Sequence, residues 1–171
     1  MRLMRWTSAA LAVCATMIGA ACASAPSEPA AGKGRIVDVP GLSLTATMSS
    51  RSLHLGDDAT LQLSARNDGA APLRLDFPSG CQLVAWIERA SDGEVVYPGG
   101  GGWGCTQAIT SLTLAPGEAK TSSTGVHAGL EQLAIYTGAV LPVGKYRAYA
   151  TLGVGPRVQA TSEKVEFEVV P

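Results

Sequence analysis

The chain has 171 residues, enough for one ordinary domain with a real core in addition to a targeting segment. With 46% hydrophobic and 16% charged residues it reads as globular and not as a disordered polymer. Thirteen basic and 14 acidic residues nearly cancel, and no basic run or basic helix occurs, which argues against nucleic acid and against polybasic contact with a membrane.

The first element is an address. "MRLMRWTSAALAVCATMIGAACASAP" opens with Arg2 and Arg5, runs apolar from about Ala9 to Ala21 and ends in small residues, the pattern of an export signal over residues 1–21. The apolar run is shorter than the roughly 20 residues a spanning helix needs, and Pro26 and Pro29 follow at once, so no permanent transmembrane helix is expected. "IGAAC" resembles the lipobox of bacterial lipoproteins, in which small residues precede a cysteine that is lipidated and becomes the new N-terminus. The resemblance implies Cys22 as the lipidation site and a membrane partner reached through the lipid anchor. Ala23, where an aspartate commonly retains lipoproteins at the inner membrane, favours the outer membrane of the cell envelope, facing the periplasm. The alternative is ordinary cleavage between Ala23 and Ser24, which yields a soluble exported protein. Removal of Arg2 and Arg5 leaves the basic residues outnumbered by the acidic ones, so the mature chain is mildly acidic.

Residues 22–40, "CASAPSEPAAGKGRIVDVP", are rich in Ala, Pro, Gly and Ser and are expected to form a flexible tether. From residue 41 to 171 the hydrophobic period becomes two. Leu42, Leu44, Ala46 and Met48 alternate with Ser43, Thr45 and Thr47; Leu61, Leu63 and Ala65 alternate with Thr60, Gln62 and Ser64. The same pattern predicts strands around Leu73, Leu75 and Phe77, around Tyr146, Ala148, Ala150 and Leu152, and around Val165, Phe167 and Val169. "QLVAWIER" is apolar on both faces, as in a central strand covered on each side or partly covered by a loop. "GCTQAITSLTLAPGEAK" reads as strand, turn and strand. Turn chemistry recurs in "GDD", "NDG", "SDG", "APG" and "LPVG", where Gly supplies positive φ, Pro presets φ, and Asn or Asp closes local hydrogen bonds. Seven to eight short strands with such turns predict an all-β, antiparallel, immunoglobulin-like β-sandwich; "HAGLEQLAIY" alone has helix-like spacing, worth one or two turns.

Taken in order, "LQLSARNDGAAPLRLDFPSGCQLVAWIERASDGEVVY", "CTQAITSLTLAPGEAK" and "LPVGKYRAYATL" resemble the intracellular proteinase inhibitor family, whose domain is named BsuPI. The resemblance spans roughly residues 59–152 and implies a β-sandwich and, for the founding type, inhibition of a serine proteinase inside the cell. This chain departs from the pattern in its export signal and in two cysteines that stand where the pattern has other residues. No reactive-site residue carries over, because the matching segments are structural turns and strands.

Those cysteines, Cys81 and Cys105, are the only ones in residues 41–171, and an exported domain with two thiols most simply forms one disulfide. Closing such a loop stabilises by roughly 3 to 3.5 kcal/mol on a chain-entropy model. The rival, a reactive thiol or metal pair, lacks a His or second Cys at ligand spacing. "YPGGGGWGC" lies inside the covalent loop and has no Lys-Ser or Lys-Thr after its glycines to cradle a phosphate. Its Tyr97 and Trp103 mark a candidate partner-binding loop, the alternative being that Trp103 folds back over the sheet edge. His54 and His127 stand apart in sequence, Asp57 and Asp58 read as turn residues, no G-x-S-x-G elbow is present, and Glu166 and Glu168 fall on one solvated strand face. No metal site, cofactor or catalytic activity is expected. The functional expectation is an exported, lipid-anchored, proteinase-inhibitor-like domain whose partner is a serine proteinase or another envelope protein; the alternative is a non-inhibitory envelope lipoprotein module.

Overall fold

A computed structural model describes residues 30–33, 39–99, 102–130, 137–155 and 158–171. The expected signal segment, Cys22 and most of the expected tether lie outside the described residues, as do residues 131–136 of the helix-like stretch. The strands are β1 (Ala30–Lys33), β2 (Leu42–Met48), β3 (Ser52–His54), β4 (Asp58–Asn67), β5 (Leu73–Phe77), β6 (Leu83–Arg89) and β7 (Val95–Tyr97). They continue with β8 (Thr110–Leu114), β9 (Ala119–Ala128), β10 (Ala139–Leu141), β11 (Gly144–Leu152), β12 (Ala160–Thr161) and β13 (Val165–Val170). Eight of these have five or more residues, in keeping with the predicted seven to eight; the other five are short additions, and β1 lies within the stretch expected as tether.

One sheet runs β1-β2-β4-β9-β10 and the other β3-β13-β11-β6-β7, with β12 attached to β11 and β5 paired with β8 as a separate ribbon. Pairing is antiparallel except for β10 on β9 and β13 on β3. The two sheets face each other as an immunoglobulin-like sandwich, and the alternation read from the sequence decides which side faces in. Leu42, Leu44, Ala46 and Met48 of β2 and Leu61, Leu63 and Ala65 of β4 pack against Ala85 and Ile87 of β6, Tyr146, Ala148, Ala150 and Leu152 of β11 and Phe167 of β13. The β5–β8 ribbon adds Leu75, Phe77, Leu112 and Leu114 to that core.

Two polar devices fasten the ends. Tyr146 is buried, and its hydroxyl donates to the Pro142 carbonyl at 2.8 Å, four residues upstream, which reproduces the tyrosine corner of immunoglobulin-like domains. Asn67, 1% exposed, closes the other end. Its Nδ2 donates to the carbonyls of Ala71 (2.8 Å) and Leu114 (2.9 Å), and its Oδ1 accepts from the Gly69 N–H (3.0 Å). Gly41 sits beside this latch at φ +80°, and a Cβ there would lie 3.0 Å from Gly69 Cα, so glycine is required both by conformation and by space.

Candidate functional site

The end of the sandwich where β5 stops and β6 starts is built by "FPSGCQ". Pro78 has no N–H to extend the β5 ladder, and the chain bends over Pro78–Gly80 into Cys81. Cys81 is bonded to Cys105 with Cα atoms 5.4 Å apart, which brings in the segment that precedes β8. The disulfide is thus formed as expected. Backbone and side-chain bonds reinforce it: the Gly80 N–H donates to the Thr106 carbonyl at 3.0 Å, and Thr110 Oγ1 donates to the Ser79 carbonyl at 2.7 Å. A side chain at Gly80 would meet Thr106 Oγ1, so its absence allows the close approach.

Between these fastenings Thr106, Gln107, Ala108 and Ile109 are all exposed, and the chain bends at Gln107–Ala108. Sequence reading extended the strand through this segment; β8 begins only at Thr110, paired with Phe77, because Pro78 has no N–H to carry the β5 ladder further. Ile109 is 85% exposed and borders a groove of about 360 Å³ with Asp76, Phe77, Pro78, Val158 and Gln159.

The other candidate residues of this end fold inward. Trp103 and Tyr97 are half-buried against the core and meet edge to face, with ring centroids 5.5 Å apart. The Trp103 indole N–H donates to the Ala85 carbonyl at 3.2 Å, on a stretch of β6 that β7 does not reach. Trp103 therefore covers a sheet edge, while Tyr97 leads into a cis peptide bond with Pro98. Both rings line a groove of about 240 Å³ whose opposite wall is Ser122–Gly125 of β9.

The outer face of β6 and β11 carries a charged cluster that the sequence did not announce. Glu88 is 5% exposed; Lys164 Nζ donates to both its carboxylate oxygens at 2.7 Å, and Arg147 Nε lies 2.9 Å from Oε1 without hydrogen-bond alignment. Trp86 and Tyr149 stack beside it at 6.3 Å, and Lys164 sits 5.1 Å over the Tyr149 ring. Burial, and then the Glu88 charge, push the Tyr149 phenol above its usual range. All members of the cluster hold one another, which marks it as structural.

Elsewhere, His54 Nδ1 lies 2.9 Å from the Pro171 carbonyl oxygen, Asp57 Oδ2 accepts from the His54 N–H at 2.8 Å, and His127 Nδ1 lies 2.9 Å from Asp58 Oδ1. Glu166 is exposed and Glu168 partly so, on the face opposite Phe167. Among the described residues no group of three or more His, Cys, Asp or Glu is placed to hold a metal ion.

With the sandwich and its turns established, the family follows from sequence: the model described as intracellular proteinase inhibitor, BsuPI, matches residues 46–156, well over half of the chain. The chain belongs to this family. That family is described as one of intracellular proteinase inhibitors. Its disulfide is a departure from an intracellular setting, because such bonds persist in oxidising compartments. No curated protein matches the sequence. Among solved structures it is similar to the CARDB domain of a Pyrococcus furiosus protein in complex with di-metal ions, at 14% identity and a TM-score of 0.40, over 80% of this chain and 93% of that one. It is also similar to part of a β-glucosidase from Erythrobacter marinus, at 15% identity and TM-score 0.40, over 83% of this chain and 16% of that one. A third similarity is to a Pseudomonas fluorescens alkylpurine DNA glycosylase bound to DNA with an abasic site analogue, at 12% identity and TM-score 0.41, over 77% and 31% of the two chains.

Proposed function

We infer that this protein is an exported inhibitor of a serine proteinase, held at the cell envelope through a lipid on Cys22. The observation that carries the inhibitor reading is the family match over residues 46–156. The pinned disulfide end supports it, because a loop held in one shape before binding loses little freedom on association. Tyr97 and Trp103 contribute as the packed wall behind that end. The disulfide supports export, and the lipobox-like "IGAAC" supports anchoring.

The test is a titration of the full chain, exported and oxidised, against purified serine proteinases that include envelope proteases of its own cell. Saturable inhibition with the chain recovered intact supports the reading; absence of inhibition at excess, with the fold verified by circular dichroism, overturns it. Anchoring is tested separately: Cys22→Ala should release the protein from membranes and abolish incorporation of labelled fatty acid.

A second reading, a non-inhibitory module of the envelope, is favoured by one observation. Among the described residues β9 pairs with β4 along Ala119–His127 but with β10 only at Val126–Ala128, so its other edge is open over Ala119–Gly125. An extended partner segment could add there as a further strand. Retained partner binding by a chain that inhibits nothing would select this reading.

A further inference from the structure

Large apolar side chains at the surface are ordinary when scattered and half-covered. Ile109 is neither. It is the most exposed large hydrophobic residue described, at 85% against 39–47% for Leu55, Val95, Val143 and Val158; Leu130, at 76%, borders residues 131–136, which are outside the described set. It also stands on a segment that has no freedom to hide it. Cys105 is tied covalently to Cys81, the Thr106 carbonyl accepts from the Gly80 N–H, and Thr110 is held both by its hydroxyl to Ser79 and by pairing with Phe77. Four exposed, uncharged residues, Thr106, Gln107, Ala108 and Ile109, are thereby fixed between two anchors.

We propose that Thr106–Ile109 is the segment that enters the proteinase cleft, and that Ile109 is the specificity-determining residue, seated in an apolar primary pocket; this rests on the inhibitor reading given above. The chemistry runs in one direction. A cleft that accepts a peptide needs exposed chain to seat, and among the described residues of the disulfide end Thr106–Ile109 is a continuous exposed run of four, while Trp103 and Tyr97 pack inward. A pocket of the proteinase desolvates the side chain it takes, so the favoured occupant is an apolar group already exposed and already held in place. The shelf of Pro78 and Val158 beside Ile109 then meets the rim of the cleft. The class of target is a serine proteinase that prefers an apolar residue at its primary pocket, as chymotrypsin does, and not one that demands a cation, as trypsin does.

The experiment uses the full chain, oxidised, in four forms: unaltered, Ile109→Asp, Ile109→Lys and Val143→Asp. Val143 is an exposed apolar residue in the turn before β11, at the opposite end of the sandwich. Inhibition constants are read against chymotrypsin, subtilisin and trypsin, with thermal melting as the check on folding; an exposed position leaves the melting temperature nearly unchanged. Expected is inhibition of an apolar-specific enzyme that falls about thirtyfold or more in Ile109→Asp, as for a central anchor residue, and is unchanged in Val143→Asp. Ile109→Lys should shift the preference toward trypsin, which a merely structural residue would not do. If the unaltered chain inhibits and all three variants inhibit equally, the loop assignment is wrong and the inhibitor reading stands. If the unaltered chain inhibits none of the enzymes and no envelope protease of its own cell, the reading and the loop fall together.

Discussion

Replacing Asn67 by alanine removes three hydrogen bonds at once and leaves their partners in place. The bond to the Leu114 carbonyl is buried, while those to the Ala71 carbonyl and from the Gly69 N–H are partly buried. An abandoned buried acceptor costs about 1 to 3 kcal/mol, and each bond that water can partly replace contributes about 0.5 to 1.5 kcal/mol. The sum is a loss of about 2 to 6 kcal/mol, a large share of the roughly 5 to 15 kcal/mol that holds an ordinary domain together. Urea unfolding followed by tryptophan fluorescence should show a lower midpoint with an unchanged slope, because the surface exposed on unfolding stays the same. Asn67→Asp retains the acceptor, loses both donors and sets a charge against two carbonyls, so it should be no better than alanine. Arg66→Ala serves as control: its ion pair with Asp68 is exposed on both sides and contributes within about 1 kcal/mol. A loss below about 1 kcal/mol for Asn67→Ala would refute the assignment of the side chain as the latch that joins β4, the following turn and the end of β8.

Three further outcomes are expected. Preventing the disulfide by Cys81→Ser together with Cys105→Ser should cost about 3 kcal/mol in denaturant and weaken any proteinase inhibition, since the anchor of Thr106–Ile109 is lost. Glu88→Ala should destabilise by about 1 to 3 kcal/mol, below the usual cost of breaking a buried pair because Arg147 and Lys164 are 30% and 43% exposed and can turn to water. Burial holds the Tyr146 and Tyr149 phenols above the ordinary value of 10.0, so the unfolded chain ionises first: stability is complete below that pH and declines as pH rises through the elevated folded values. Tyr146→Phe should lose about 1 kcal/mol at neutral pH through its bond to Pro142 and show a shallower alkaline decline, measured by denaturant midpoints across pH 8 to 11.

The fold was legible where a strand has one wet and one dry face. Alternation located β2, β4, β5, β11 and β13 and named their inward residues, because a register slip of one would have turned each apolar set to solvent. In β9 only the start was legible, after the "APG" turn; the rest of "AKTSSTGVHA" carries buried side chains only at Val126 and Ala128, and the strand runs on because β4 pairs with it over nine positions, a long-range cause that local pattern does not contain. The same holds for β3, β7, β10 and β12, which are two or three residues long. "NDG" read as a turn, and the structure makes Asn67 the last residue of a strand whose side chain, not its backbone, closes that turn.

The candidate site divides along the same line. Two cysteines in an exported chain were enough to expect the bond between them, and compartment supplied the reason. The segment after Cys105 was readable in principle: Leu112 and Leu114 set the phase of β8, and counting back by two reaches Thr110, so an isoleucine at 109 belongs to the wrong face. Ile109 stands just before that strand, and within the described residues nothing covers it. Trp103 lay on the other side of the same bond and offered the more conspicuous aromatic. Its position was decided by an unpaired carbonyl at Ala85, a requirement that arises only once β7 has ended short of that residue. The tryptophan answers a need of the sheet, and the isoleucine answers none, which is why the search for a partner belongs at Ile109.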